Sequence, residues 1–258
     1  MVRFLAEVVE QPGGDTVDVV GEALAEHKVV VLRRAADVDS DAFYWRLASA
    51  LGHFHFHFRD EDPGGLDKPG RLDIRYDPDL AAGSRYRYGN GRMPLHVDGV
   101  YSDVDFDVFF IRCRAAARFG GATFAVDGTT VVEYLSASDP ALLRALLNVE
   151  VRFSKGERVV TRRVIDYEGG DPVFNWSSTR VAGDNPPEVV RMCARFADFC
   201  EQRLVDGGLV EQIRLAPGDA VFVHNRKVLH GRYAFWGERC MLKGVLDLRP
   251  RIRGEEPA

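Results

Sequence analysis

The chain has 258 residues, 46% of them hydrophobic, with 34 basic against 39 acidic side chains and a formal charge of −5. That length suits a single large domain, 1–258, with ample apolar material for a core, and the mild acidity without any long Lys/Arg run excludes a nucleic-acid surface. No apolar run is long enough to span a bilayer and the start lacks a leader pattern, so the expectation is a soluble, cytoplasmic protein acting on a small molecule, with homo-oligomerisation left open.

In chain order, Thr16–His27 reads as a short helix and Lys28–Leu32 as a strand. Ser40 is placed to cap a helix running to Leu51, with Phe43, Leu47 and Leu51 on one face and Gly52 just beyond its end. The alternation His53-Phe-His-Phe-His57 predicts a strand with three histidines on one face and Phe54, Phe56 and Phe58 on the other. From Arg59 to Pro94 the chain is polar, rich in Gly, Asp, Arg and Tyr, and without apolar period. A loop this long inside a compact domain is usually functional, and 59–94 is read as an active-site lid.

The remainder is strand-rich. Strands are predicted at Asp105–Cys113, Ala122–Asp127, Val149–Phe153, Arg158–Ile165, Leu209–Leu215, Ala220–His224 and Arg239–Leu248. Helices interrupt them: Thr130–Leu135 with a capping-box pattern (Thr130, Glu133), one opened by Asp139-Pro140, and a longer one from Pro187 to about Asp206 ended by Gly207-Gly208. Four cysteines (Cys113, Cys193, Cys200, Cys240) form no C-x-x-C pair and read as buried thiols. The fold class expected is mainly β with helical insertions, a double-layer jelly roll buttressed by helices.

The triplet His96-Val97-Asp98 is the first sign of chemistry. In a strand, residues i and i+2 face one side, so His96 and Asp98 point into one cavity and Val97 away from it. Two imidazoles and one carboxylate form the facial triad that holds non-haem Fe(II) and leaves coordination positions open. The triplet alone is weak, because seven histidines in a chain with 39 acidic residues supply roughly one such pattern by chance. The second imidazole would be His230, in Asn225-Arg-Lys-Val-Leu-His-Gly-Arg232. Local helical spacing cannot connect positions so distant in sequence, but a jelly roll can set such strands side by side. An anionic co-substrate also needs an anchor. Arg239 can take a carboxylate bidentately, and Thr123, after Gly120-Gly121-Ala122, can donate to the same group. Lys243 shares a strand face with Arg239 and Met241 and would add a second positive charge.

These residues resemble the Fe(II)/2-oxoglutarate-dependent oxygenases, in the branch of taurine dioxygenase and clavaminate synthase. The resemblance is carried by His96-Val-Asp98, Gly120-Gly-Ala-Thr123, Pro217-Gly-Asp-Ala-Val-Phe-Val-His-Asn225, Leu229-His-Gly-Arg232 and Arg239, in that order. Met93-Pro-Leu-His-Val-Asp-Gly99 is similar to carbapenem synthase in particular. The resemblance implies a distorted double-stranded β-helix with Fe(II) on His96, Asp98 and His230. It also implies 2-oxoglutarate held at its far carboxylate by Arg239 and Thr123, and O2 as oxidant. The expected reaction is oxidation, by default hydroxylation, of an unactivated C–H bond in an amino acid or natural-product intermediate, with release of succinate and CO2. Desaturation, ring closure or epimerisation by the same oxidant remain open. Related halogenases carry Gly or Ala where Asp98 stands, which argues against halogenation. The spacing from His230 to Arg239 is shorter than in several relatives.

Asn90, Arg92, Tyr101 and Lys243 are the expected substrate contacts, with Arg75, Arg85, Tyr86, Arg87 and Tyr88 contributing to a polar lid. A rival metal site is the His53/His55/His57 row, to which Zn binding is given roughly one chance in ten, since most such rows are half-exposed strand faces. A non-catalytic jelly-roll binding module is the reading of a different class; it has no need of Arg239 and Thr123 beside a triad.

Overall fold

A computed structural model describes residues 3–10, 15–34, 41–55, 72–82, 86–103 and 105–248. It opens with strand β1 (Arg3–Val9), helix α1 (Thr16–Glu26), strand β2 (His27–Arg33), helix α2 (Asp41–Leu51) and the short strands β3 (Gly52–Phe54), β4 (Leu72–Arg75) and β5 (Met93–His96). Strands β6 (Val108–Ala115), β7 (Phe119–Gly120) and β8 (Thr123–Asp127) lead into helices α3 (Gly128–Ser138) and α4 (Pro140–Asn148). Two hairpins follow, β9 (Glu150–Lys155) with β10 (Arg158–Arg163) and β11 (Ile165–Glu168) with β12 (Asp171–Phe174). A 3-10 turn (Ser178–Arg180) precedes helix α5 (Pro187–Phe199), which continues as a π-helix over Cys200–Val205. The last strands are β13 (Glu211–Ile213), β14 (Ala220–His224), β15 (Val228–Arg232), β16 (Phe235–Trp236) and β17 (Cys240–Leu248).

Two sheets face each other. The major sheet runs β1-β2-β14-β6-β17-β3, with β4 also paired to β17; the minor sheet runs β13-β8-β15-β5. The apolar runs of the major sheet are continuous because both faces are covered. On β2, Val30 and Leu32 join Val20, Leu24, Tyr44 and Leu47 of α1 and α2, while Val29 and Val31 turn inward to meet Ala125, Ile213 and Val228 of the minor sheet. Strand β14 splits the same way, with Ala220 and Phe222 outward and Val221 and Val223 inward. A third cluster packs Leu95, Phe124, Val126 and Leu229 of the minor sheet under α3, α4 and α5, around Trp176 and Phe196. Each fully buried side chain of this kind contributes about 1.5–3 kcal/mol.

The jelly roll expected from the sequence is present, with several local differences. Strand β1 pairs parallel to β2, and the predicted strand Arg158–Ile165 is two strands separated at the buried Val164. The helix predicted from Thr130 starts earlier: Asp127 accepts from Thr129 N and caps it, leaving Thr130 inside. Asp139 does cap α4, accepting from Leu142 N, with Pro140 in the first turn. The expected cap Ser40, together with Phe56, His57, Phe58 and residues 59–71, lies outside the described residues. Within 59–94 the described residues are partly ordered into strand. They include β4, edge-paired to β17, and Arg87 and Tyr88 are buried, with Arg87 Nε donating to Asp73 O at 3.1 Å. Among the described residues no helix is long and apolar enough to cross a membrane.

Candidate metal and co-substrate site

The two histidines meet because β5 and β15 are antiparallel neighbours with His96 directly opposite His230. Their rings lie 4.3 Å apart between centroids. Strand β5 ends at His96, and the chain turns at Gly99, whose φ of 73° suits glycine; this turn presents Asp98 to both imidazoles. His96 Nε2 is 3.8 Å and His230 Nε2 3.5 Å from the Asp98 carboxylate. The three side chains can each offer a ligand atom within 4.8 Å of the others, the one such group among the described residues. His53 and His55 touch edge to face, and His55 Nε2 lies within hydrogen-bond distance of Asp247 Oδ2, at 2.9 Å, so that nitrogen of the rival histidine row is already engaged.

The donor set fits a divalent cation. His96 Nδ1 lies 2.9 Å from Pro94 O, a carbonyl that can only accept, so Nδ1 donates there and, in the neutral tautomer, Nε2 is the nitrogen with the lone pair. That Nε2 is buried without a hydrogen-bond partner, as is His230 Nδ1. Burial, reinforced by the neighbouring His96 and opposed by Asp98, pushes His230 down to about 4, so its ring is neutral at pH 7. Burial alone would raise the Asp98 carboxyl, but Lys243, with His230 and His96, overrides it and holds the group well below the usual carboxylate range. Two imidazoles and one carboxylate are hard and borderline ligands of the kind Fe(II) takes.

Around this cluster lies a cavity lined by Tyr86, Arg87, Tyr101, Thr123, Arg232, Arg239, Met241 and Lys243, among others. Thr123 and Arg239 are both buried. The Arg239 stem packs over Gly121, where an added Cβ would lie 3.3 Å from Arg239 Cδ and where φ is +74°. Burial, then the nearby Arg232, pushes the Arg239 guanidinium down to about 9, and its Nε has no hydrogen-bond partner. Lys243 donates to Asp98 Oδ2 and stands 5.0 Å over the Phe109 ring. Of the four expected substrate contacts, Tyr101 and Lys243 line the cavity and Asn90 and Arg92 do not. Arg92 instead pairs with Glu201 and lies over Phe124 and Tyr233, while Asn90 O accepts from Phe235 N.

Three supporting residues had no role assigned from the sequence, although Asn225 and Arg232 end motifs that carry the resemblance. Asn225 clamps the triad turn, its Oδ1 accepting from Asp98 N at 2.9 Å and its Nδ2 donating to Asp98 O at 3.0 Å. Its position at the end of the apolar strand before His230 was a usable signal, since a buried Asn must spend its amide on backbone. Arg232, two residues past His230, donates to the carbonyls of Tyr86, Gly89 and Gly91 and ties the lid segment to the minor sheet. Lys155 lines the cavity from the β9 hairpin, a placement with no local signature.

A profile of the taurine catabolism dioxygenase TauD, TfdA family matches residues 5–246. No curated protein matches the chain significantly. Among solved structures, PvcB of Pseudomonas aeruginosa superposes with a TM-score of 0.69 at 16% identity, over 97% of this chain and 90% of that one. A taurine dioxygenase of Burkholderia xenovorans gives 0.65 at 16% identity, over 96% and 88% of the two chains. An asparagine oxygenase, solved with Fe(II), 3-hydroxyasparagine and succinate, gives 0.63 at 17% identity, over 90% and 77%. At such identities the likenesses establish a shared fold, the double-stranded β-helix. The family profile carries the rest: the chain belongs to the TauD, TfdA family of non-haem dioxygenases that use Fe(II), 2-oxoglutarate and O2.

Proposed function

We propose that this enzyme hydroxylates an unactivated C–H bond of a small polar substrate, an amino acid or a natural-product intermediate. The overall reaction would be R–H + 2-oxoglutarate + O2 → R–OH + succinate + CO2. The observation that carries this reading is the cluster of His96, Asp98 and His230, with both histidines buried and a ligand atom of each of the three within 4.8 Å of the others. These three would hold Fe(II), which when bound supplies the oxidising chemistry as 2-oxoglutarate is decarboxylated. Arg239 would take the far carboxylate of 2-oxoglutarate and Thr123 would donate to it. Lys243 orients Asp98 by donating to Oδ2 and, with Tyr101, faces the substrate. Phe109, 4.5 Å from the His230 ring between centroids, helps keep the site dry. Two structural neighbours support the substrate class by analogy. PvcB is described as an oxygenase from an isonitrile synthetic pathway, and the asparagine oxygenase acts on an amino acid.

The test is anaerobic addition of Fe(II) and 2-oxoglutarate. The weak visible charge-transfer band of the chelate is expected in the wild type and lost in His96→Ala and Asp98→Ala. A wild type that gives no band refutes the assignment.

A further inference from the structure

We infer that 2-oxoglutarate reaches Arg239, and succinate leaves it, through a second cavity behind the anchor, whose rim carries Arg118 and Arg214. The co-substrate would then exchange without passing the primary substrate. This rests on the assignment of Arg239 and Thr123 to 2-oxoglutarate.

Strand order sets a cavity on either side of that anchor. The minor sheet runs β13-β8-β15-β5, with His96 on β5 at one edge and β13 at the other. Thr123 opens β8 and is paired with Ile213 of β13 on one side and Arg232 of β15 on the other. A cavity of about 140 Å³ lies on the triad side. A second, of about 590 Å³, lies on the β13 side and is lined by none of the three metal ligands. Its volume falls within the range of about 300–1,000 Å³ usual for small-molecule sites. Thr123, Arg239 and Met241 line both cavities, so these three buried side chains form the partition between them. The second cavity opens to solvent, since Arg118, Phe119, Gln212 and Arg214 in its lining are all exposed.

Its shape is set by the backbone. Ala116, Ala117, Gly121 and Ala122 are too small to fill the space beside the Arg239 stem. Gly120 has a φ of +71°, and a Cβ there would lie 2.1 Å from Ala234 O. Only glycine lets β7 and β16 close on each other here, and that pairing fixes one side of the rim.

Charge decides what passes. Among the described residues, Arg118, Arg214 and Arg239 are the only charged side chains in the lining of the second cavity. Glu211 and Glu238, close to it in sequence, are exposed and do not line it. A cleft lined by one sign of charge concentrates ions of the other and speeds their arrival. 2-Oxoglutarate and succinate are both dianions, and the path leads from two exposed arginines to a buried one whose Nε has no hydrogen-bond partner. During turnover the triad side holds the substrate or its oxidised product at the moment succinate must leave. A route behind Arg239 avoids that obstruction.

The test is stopped-flow mixing of the full chain, loaded anaerobically with Fe(II), with 2-oxoglutarate, following the visible band. The association rate is expected to fall about three- to tenfold between about 0.05 M and about 0.5 M NaCl. It should fall by a similar factor in the double variant Arg118→Gln/Arg214→Gln, with a flatter salt dependence. Ala117→Trp and Gln212→Trp, both placed to narrow the second cavity, should slow association and dissociation together by about fivefold or more while Kd stays within about twofold. Parallel loss of both rates is the signature of a narrowed path. Thr179→Trp, in the lining on the triad side, should leave both rates within about twofold of wild type. The inference is overturned if neither Trp variant at the second cavity slows association, if Thr179→Trp slows it as much as they do, or if the rate ignores both salt and the arginine changes. A wild type that gives no band sinks the metal and co-substrate assignment instead, so the two failures are distinguishable.

Discussion

Asn225→Ala isolates the contribution of the residue that positions Asp98 without touching any ligand. Asn225 is 2% exposed and bonds both the N–H and the C=O of Asp98. Truncation leaves two backbone groups without partners, at about 1–3 kcal/mol each when buried. Asp98 sits in a turn with some solvent access, so the lower end applies and the expected loss of folding stability is about 2–3 kcal/mol. For a chain of this size that corresponds to a fall in unfolding midpoint of roughly 4–12 °C. The functional effect should be separate and larger, because residues that orient a metal ligand typically change affinity about 10–100-fold when removed.

Two measurements separate these effects: urea unfolding of the metal-free chain, and anaerobic titration with Fe(II) in the presence of 2-oxoglutarate. Leu24→Ala serves as the control. It lies in the helix layer outside the major sheet, is 2% exposed, and should lose about 2–5 kcal/mol with unchanged Fe(II) affinity. Fe(II) affinity in Asn225→Ala within about twofold of wild type would refute the positioning role.

Arg239→Gln should raise KM for 2-oxoglutarate about 10–100-fold in a succinate-formation assay, the loss of one charge-assisted pair of about 1.5–3 kcal/mol. Gly244→Ala should destabilise by about 1–3 kcal/mol in thermal unfolding, since a Cβ there would meet Phe110 Cε1 at 2.5 Å and Phe54 Cε2 at 2.7 Å. His224, whose Nε2 lies 3.0 Å from Leu24 O, is pushed below its ordinary pKa chiefly by burial. The unfolded chain takes up a proton near pH 6.5 that the folded chain refuses, so this group should lower stability as pH falls below about 6.5. Replacing His224 with Gln should make the decline between about pH 7.5 and 5.5 shallower in urea unfolding.

What the sequence made legible was whatever rests on short-range period. The Asp139-Pro140 cap follows from local geometry and is where it was expected, and Arg239, Met241 and Lys243 all line the cavity, but Asp98 reaches His96 through a turn beyond the strand end and Arg239 lies just before β17 rather than opening it. The distant pairing of His96 with His230 was legible only by chemistry, because nothing in a linear pattern states strand order. The burial within the polar stretch before the triad is not legible in the sequence, for a physical reason. Its arginines and tyrosines lack apolar period, yet Arg87 and Tyr88 are buried by stacking, with the Arg87 guanidinium 4.9 Å over the Tyr88 ring and its Nε bonded to the backbone. Amphipathic side chains of this kind bury their bodies while satisfying their heads, which hydropathy does not register. Arg92 lies off the cavity for a related reason, since its partner Glu201 comes from the C-terminal half of the chain.

Stability and chemistry are joined at β17, where a single register serves both. Its outward residues Leu242 and Leu246 are fully buried, Leu246 within the α1 and α2 layer, and Gly244 admits the Phe110 and Phe54 rings at a distance no Cβ tolerates. Its inward residues Met241 and Lys243 line the cavity, as does Arg239 just before the irregularity between Cys240 and Met241. A slip of one residue exchanges the two faces of a strand. It would drive Lys243 into the apolar helix layer and bring leucines against Asp98, so the packing that holds the helices also excludes every arrangement in which the cations miss the site.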